Sequence, residues 1–324
     1  PAIAARLCDD YSYGMYSDWF LPSLAELDTM YVNLHLNGLG GFSPAAYWSS
    51  SQWSYQNGYC IDFTDGSMPG IDKATPLSVR PVRYYIPQLF AAGSGTEFDP
   101  WLISNVEELN NVRYFKGQSH HNKWFRQIAN IDLDVAPYNQ GDGWEPIGYW
   151  SDNQYFAGHY NGSGFEISGL YINRNDWDQA LFCWTVGATI DSVRVINVNV
   201  TGDEEAGGLV AWADSSHFSE CYGTGTVMGT GVIGGLFGFI DNNSTITNCH
   251  FDGNIITTSY QGGGLAGKIR YTNVHNCYTT GTIFSSGSSD AAGLIGNTSR
   301  SGVTDCYSTC SVQVTGGVMY ITAG

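Results

Sequence analysis

A chain of 324 residues, 43% hydrophobic and 14% aromatic, is long enough for two folded domains and too apolar to be disordered. Its net charge of −17, from 30 acidic against 13 basic residues, repels phosphate backbones and anionic surfaces, so no nucleic-acid partner is expected. No run approaches the ~18 apolar residues of a membrane span, and the opening Pro1-Ala-Ile-Ala-Ala-Arg-Leu-Cys-Asp-Asp resembles neither an initiator region nor a signal peptide, so any export signal is expected upstream.

Residues 1–85 read as a small α+β unit. Ala4 to Leu7 can end a helix. Ser23 and Glu26 make a capping box ahead of Leu24, Leu27, Met30, Tyr31 and Leu34, which share one helical face, and Asn37-Gly-Leu-Gly-Gly ends that helix. Strands are expected at Ala46-Tyr-Trp-Ser-Ser, Gly58-Tyr-Cys-Ile-Asp-Phe and Leu77-Ser-Val-Arg-Pro-Val-Arg-Tyr, with Thr64-Asp-Gly-Ser as the hairpin turn after the second. Aromatic and amide side chains gather in Gln52-Trp-Ser-Tyr-Gln-Asn-Gly-Tyr and Ser67-Met-Pro-Gly-Ile-Asp-Lys. Rings supply contact area and amides supply paired hydrogen bonds, so Trp53, Tyr55, Asn57, Tyr59 and Met68 are the candidate ligand-binding residues. The competing reading is that Trp53, Tyr55 and Tyr59 cover a small core. Cys8 and Cys60 can bridge helix to strand in an exported chain.

The phrases Leu7-Cys-Asp-Asp, Tyr16-Ser-Asp-Trp-Phe-Leu-Pro-Ser, Glu26-Leu, Tyr47-Trp-Ser-Ser-Ser, Asp62-Phe-Thr-Asp-Gly and Val79-Arg-Pro-Val-Arg, in this order, resemble the C-terminal domain of bacterial collagen-like adhesins. That domain is similar to C-type lectin-like folds, and the resemblance implies a bacterial cell-surface binding module. Family members usually carry a further N-terminal strand region, absent here, so the unit reads as N-terminally truncated. A member of the family binds sulfated glycans through positive charge, which the acidity of this chain opposes. The Glu-Pro-Asn, Gln-Pro-Asp and Trp-Asn-Asp tripeptides of calcium-dependent sugar sites do not occur, and no metal or cofactor is assigned.

Residues 86–97 read as a linker, Ile-Pro-Gln-Leu-Phe-Ala-Ala-Gly-Ser-Gly-Thr-Glu, and residues 98–324 as a solenoid. A second capping box, Ser104 with Glu107, opens a helix that, with the strand Phe125-Arg-Gln-Ile-Ala-Asn-Ile-Asp-Leu, is expected to cap the solenoid's open end. Trp144-Glu-Pro-Ile-Gly, Phe156-Ala-Gly-His-Tyr-Asn-Gly-Ser-Gly, Ile167-Ser-Gly-Leu-Tyr-Ile-Asn and Ala188-Thr-Ile-Asp-Ser-Val-Arg-Val read as irregular early rungs.

The signal then becomes periodic. Gly207-Gly-Leu-Val, Gly234-Gly-Leu-Phe-Gly, Gly263-Gly-Leu-Ala-Gly and Ala292-Gly-Leu-Ile-Gly are each followed by a cysteine: Cys221, Cys249, Cys277 and Cys306. The leucines Leu209, Leu236, Leu265 and Leu294 are 27, 29 and 29 residues apart and the cysteines 28, 28 and 29, while Leu181 and Val193 extend both columns backwards. Such a period with Thr, Val and Ile enrichment predicts a mainly β fold: a parallel, right-handed β-helix whose rungs stack ~4.8 Å apart. Regular cysteines can mean a metal site, a disulfide framework or a column of small buried hydrophobes. The long spacing and the Val at the preceding position favour packing.

These phrases, the pairs Asn248-Cys and Asn276-Cys, and Thr96-Glu-Phe-Asp-Pro-Trp-Leu-Ile resemble the GLUG-motif repeats of secreted and surface bacterial proteins. The resemblance implies a stalk or binding scaffold. Gly316-Gly-Val-Met-Tyr reads as the opening of a further repeat.

Catalytic signals are sparse. The candidate acids are Asp176, Asp178, Asp203, Glu204, Glu205, Asp214 and Glu220, of which only Asp203 to Glu205 cluster, at a turn. His120-His121 reads as an exposed polar loop, and no nucleophile elbow, zinc helix or phosphate loop is present. Thr224, Asp252, Thr280 and Thr309, with Thr226, Asn254, Thr282 and Ser311, form two polar columns that could bind a flat surface such as ice. The expectation is a non-enzymatic, extracellular or cell-surface bacterial protein, an adhesin or fibre component able to oligomerise. Its partner is a glycan or cell-surface protein, it has no membrane span, and the β-helix serves as stalk. The alternatives are a polysaccharide-active β-helix enzyme and an ice-binding surface.

Overall fold

Residues 2–12, 19–83, 89–150, 154–258, 260–286 and 290–315 are described by the computed structural model; Tyr16-Ser-Asp and the Gly316-Gly-Val-Met-Tyr phrase lie outside the described residues. The chain divides into two compact units, Pro1–Pro87 and Gln88–Gly324.

In the first unit, α1 (Ala2–Asp9) and α2 (Leu24–Asn33) accompany an antiparallel sheet of β1 (Ala46–Gln52), β2 (Asn57–Asp62) and β3 (Gly70–Asp72), in the order β1-β2-β3. The box at the start of α2 forms: Ser23 Oγ accepts from the Glu26 N–H at 3.3 Å and Glu26 Oε2 accepts from the Ser23 N–H at 2.8 Å. The helix stops before Asn37, because His35–Asn37 tighten into a 3₁₀ turn closed by Gly38 at φ 68°. Leu27 is buried with Tyr47, Ile61 and Phe63, pinning α2 to β1 and β2. The turn after β2 uses Gly66 at φ 78°, whose N–H donates to Asp62 O at 2.7 Å. The third strand is β3, and not the expected 77–84 segment. That segment contributes only the bridges Ser78 to Tyr47 and Val82 to Phe20 among the described residues, since Pro81 has no N–H for a ladder. Cys8 and Cys60 are free thiols buried in one cluster with Ala4, Leu21 and Trp48.

The second unit is a parallel β-solenoid of about seven turns. The linker expected over 86–97 is shorter. Phe90 is buried against Trp101, Phe115 and Phe125, and the Ala91 N–H donates to Leu102 O at 3.0 Å. Helix α3 (Val106–Asn111) is capped one residue later than expected. Asn105 Oδ1 accepts from the Glu108 N–H at 3.0 Å, and Glu108 Oε2 accepts from the Ser104 N–H at 2.6 Å. Asn caps as well as Ser, and this start puts Val106 and Leu109 into the core. The segment 125–133 is two strands, Trp124–Gln127 and Ile131–Asp132, in two different sheets.

Each regular coil carries four strands, as in Glu205–Ala206, Val210–Asp214, His217–Ser219 and Tyr222–Gly229. Each pairs in parallel with its equivalent in the next coil, building sheets of four, five, eight and nine strands. The sequence period thus becomes direct contact. The Leu209 N–H donates to Leu236 O at 2.9 Å, Leu236 to Leu265 at 3.1 Å and Leu265 to Leu294 at 2.8 Å. Leu181, Leu209, Leu236 and Leu265 are fully buried.

The glycine phrases have a steric cause. A Cβ on Gly235 would lie 2.2 Å from Gly264 O and one on Gly264 2.1 Å from Gly293 O, so the turn admits no side chain. At the preceding position, Gly234 and Gly263 face the N–H of Gly267 and Gly296 in the following coil, each 2.6 Å from a built Cβ. Ala292, in the last described coil, carries the side chain its predecessors cannot.

The cysteines share one column on the inner side. Cys221, Cys249 and Cys277 are buried, whereas Cys306, expected inward like the others, is half-exposed. The residue before each adopts a left-handed conformation, from Glu220 at φ 53° through Asn248 and Asn276 to Asp305, a conformation asparagine tolerates well. These residues also link along the axis: Asn276 Nδ2 donates to Asn248 Oδ1 at 2.8 Å and Asn248 Nδ2 to Glu220 Oε1 at 2.5 Å.

Candidate functional site

The loop joining β1 to β2 sets the geometry of the first candidate site. The Trp53 and Ser54 N–H groups both donate to Asn57 O, at 3.2 and 3.0 Å, and Ser54 Oγ accepts from the Asn57 N–H at 3.0 Å. Asn57 thereby holds the turn. The Trp53 and Tyr59 rings stack 5.9 Å apart and 17° from parallel. Trp53 lies flat across β3, because a Cβ on Gly70 would come within 1.0 Å of its benzo ring. Trp53 is 57% exposed and Tyr55 91%, so these two do not cover the core; the half-buried Tyr59 connects them to it. Tyr55 stands at the loop tip, its carbonyl accepting from Lys73 Nζ at 2.9 Å, and makes no ring contact among the described residues. Met68 is exposed in the segment leading into β3. The structure therefore brings Trp53 and Tyr59 into one platform and leaves Tyr55 beside it.

The acids divide differently from the expectation. Asp214 accepts from Ser215 Oγ and Asn242 Nδ2, and Asp203 from Thr230 Oγ1, so these hold turns. Asp178, however, joins Glu205 from the coil before. Gln179 bridges Ala206, and the Gln179 N–H donates to Glu205 O at 2.8 Å. Asp178 is 2% exposed; burial, and then the charge of Glu205 beside it, push its carboxyl up to about 8. Burial also raises Glu205. Burial thus favours the protonated form of Asp178.

Beside this pair runs an aromatic row that sequence reasoning missed. Trp184, Trp212 and Phe239 occupy equivalent places in successive strands, with centroids 6.0 and 5.7 Å apart. Trp150 covers Trp212, 6.4 Å away and 16° from parallel, and meets Trp177 at 6.1 Å. Lys268 Nζ closes the row 4.9 Å from the Phe239 centroid. The spacing of 28 between Trp184 and Trp212 is the signal that could have found it.

The two polar columns do stack in register, Thr224 on Asp252 on Thr280 and Thr226 on Asn254 on Thr282. An aromatic column, Tyr222, His250, Tyr278 and Tyr307, runs beside them with centroids 4.2, 4.5 and 5.2 Å apart. His120 and His121 each place Nδ1 against a local carbonyl, Lys116 O at 2.6 Å and Gln118 O at 2.7 Å.

No family model matches the chain, so the adhesin and GLUG resemblances rest on the quoted phrases alone. A Bacteroides ovatus crystal structure, named as that of "a putative immunoglobulin A1 protease", matches with a TM-score of 0.54 over 72% of this chain and 87% of its own, at 18% identity. At that identity the likeness is one of fold, the β-solenoid. In sequence the chain is similar to a "Putative Gly-rich membrane protein" of Evansella cellulosilytica, 39% identical over 116 residues, or 36% of this chain and 12% of the relative. It is also similar to "Halomucin" of Haloquadratum walsbyi, 32% identical over 187 residues, or 55% of this chain and 2% of the relative. The chain thus spans a small fraction of the curated relatives it matches. No helix among the described residues is long and apolar enough to cross a membrane.

Proposed function

We propose that the chain is part of a non-enzymatic surface or secreted bacterial protein that binds a glycan through its first unit and uses the solenoid as a stiff stalk. The observation that carries this reading is the Trp53–Tyr59 platform, flat, solvent-facing and seated on Gly70. A pyranose presents an apolar C–H face to such rings, while Tyr55 beside them adds a hydroxyl and further ring area. A hydrogen-bonded solenoid is rigid and lengthens by repetition, and weak single contacts gain strongly when many copies act together. Oligomers or fibres fit this use. The relatives named as a membrane protein and as halomucin, both far longer than this chain, agree with a surface setting.

The enzyme alternative has less support. Glycosidases need a pair of carboxyls flanking the sugar, whereas Asp203 and Asp214 are committed to turn hydrogen bonds. The protease in the name of the Bacteroides ovatus structure belongs to that protein. For the ice-binding reading, Asp252 and Asn254 break the threonine columns and the tyrosine column flanks them.

The test is a glycan array probed with the full chain, its Trp53→Ala and its Tyr55→Ala variants. An array on which no bound glycan is weakened by either variant would end this assignment.

A further inference from the structure

A cavity of about 560 Å³ opens where the early coils meet the aromatic row. Its volume lies within the range typical of small-ligand sites. Packing does not account for its wall. Asp178 and Gln179, 2% and 3% exposed, both line it, and Asp178 Oδ1 and Gln179 Oε1 are buried without a hydrogen-bond partner among the described residues. Gln179 Nε2 donates to Trp177 O, which fixes the amide and leaves its oxygen facing elsewhere. Arg174 Nε, on the same wall, is likewise unpartnered among the described residues. Buried polar groups are nearly always satisfied, and each orphan costs roughly 1–3 kcal/mol. Two acceptors and one donor without partners, all on residues that line one cavity, form a pattern complementary to a ligand that both donates and accepts.

The rim supplies the other half. Trp177 is 53% exposed and Tyr149 is exposed with it, both lining the cavity. The charges on the wall largely cancel: Arg113 pairs with Glu145 at 3.0 Å, and Arg174 lies 4.0 Å from Asp142. Hydroxyl groups suit such a wall better than a strong charge, and a ring with an apolar face suits the rim.

We propose that this cavity is a saccharide-binding site for one pyranose unit of an external glycan. Ring hydroxyls donate to Asp178 Oδ1 and Gln179 Oε1 and accept from Arg174 Nε, while the sugar's C–H face lies on Trp177. The site is separate from the Trp53–Tyr59 platform and does not depend on it.

The test uses the full chain with cello-, xylo-, manno- and galacto-oligosaccharides and with oligogalacturonate as the acidic arm, read by saturation-transfer NMR and by tryptophan fluorescence titration. Binding of at least one probe is expected, weakened at least tenfold by Trp177→Ala and by Gln179→Met, partly retained by Trp177→Phe, and unchanged by Tyr260→Ala, an exposed aromatic outside both sites. Tyr149→Ala serves as a second rim variant should Trp177→Ala fold poorly, and it too is expected to weaken binding. No binding by any probe, binding that survives both rim variants, or binding lost only with Trp53→Ala would overturn the proposal. The last of these would leave the Trp53 reading standing.

Discussion

The backbone N–H of Cys249 donates to Sγ of Cys277, one coil further on, at 3.4 Å. The Cys277 N–H repeats the contact with Cys306 at 3.3 Å, and each thiol turns back to a carbonyl two residues earlier, Thr247 O for Cys249 and His275 O for Cys277. A column that fills space this way and satisfies its own hydrogen bonds needs no metal and no cross-link. Burial, followed by the neighbouring thiols, holds Cys249 well above the ordinary thiol range, so it stays protonated and unreactive. In the native protein a thiol reagent at pH 8 is therefore expected to modify the half-exposed Cys306 and Cys310 first and the buried cysteines only on unfolding. Thiol counting in denaturant without reductant checks the column. Recovering none of the four ladder cysteines would mean that it is a covalent framework.

Tight coil stacking makes a second expectation. Leu236→Ala removes a fully buried ladder side chain and should cost about 2–5 kcal/mol. Gly235→Ala adds only a methyl, yet that methyl meets Gly264 O at 2.2 Å and the Phe251 ring at 2.3 Å. Backbone cannot yield as a side chain can, so the glycine variant should lose at least as much, or fail to fold. Urea midpoints of both variants decide it. A cost below about 1 kcal/mol for Gly235→Ala would be incompatible with this packing.

In-register parallel stacking explains how much could be read beforehand. When coil stacks on coil, a period in the sequence is already a list of contacts, and identical residues such as the leucines and cysteines announce their column. Mixed columns announce less. Trp184 and Trp212 share period and residue type, but the column passes to Phe239 and then Lys268, and Asp178 meets Glu205 across 27 residues with no pattern around it. Trp150 reaches the row from an irregular early coil, outside any period. In the first unit, contacts between β1, β2 and β3 are antiparallel and local, so Trp53 and Tyr59 could be picked out by loop composition. Their seat on Gly70 depends on which segment forms the third strand, and Pro81 removed the segment expected there.

A third expectation concerns pH. The Asp178 carboxyl, ordinarily near 3.8, titrates at about 8 in the folded chain. Between those values the folded state binds more protons than the unfolded state, so this group's stabilising contribution is complete below about pH 4 and is lost as pH rises through about 8. Burial raises Glu205 as well, which acts in the same direction. Asp178→Asn keeps the size of the side chain and removes the titration. Its melting temperature minus that of the unaltered chain should be smallest below about pH 4 and increasingly positive as pH rises to about 8. A difference that stays flat, or that shrinks with pH, would show that Asp178 is already ionised at neutral pH.

The most direct measurement is an equilibrium titration of the full chain, and of Trp53→Ala, against the glycan that an array selects. Trp53 is exposed and rests on a glycine, so its removal should leave the melting temperature within a few degrees. The dissociation constant should rise at least tenfold, about 1.4 kcal/mol, with no new reducing ends released during prolonged incubation. An unchanged dissociation constant in Trp53→Ala, or steady cleavage of the glycan, would contradict a non-catalytic protein that makes contact through the Trp53–Tyr59 platform.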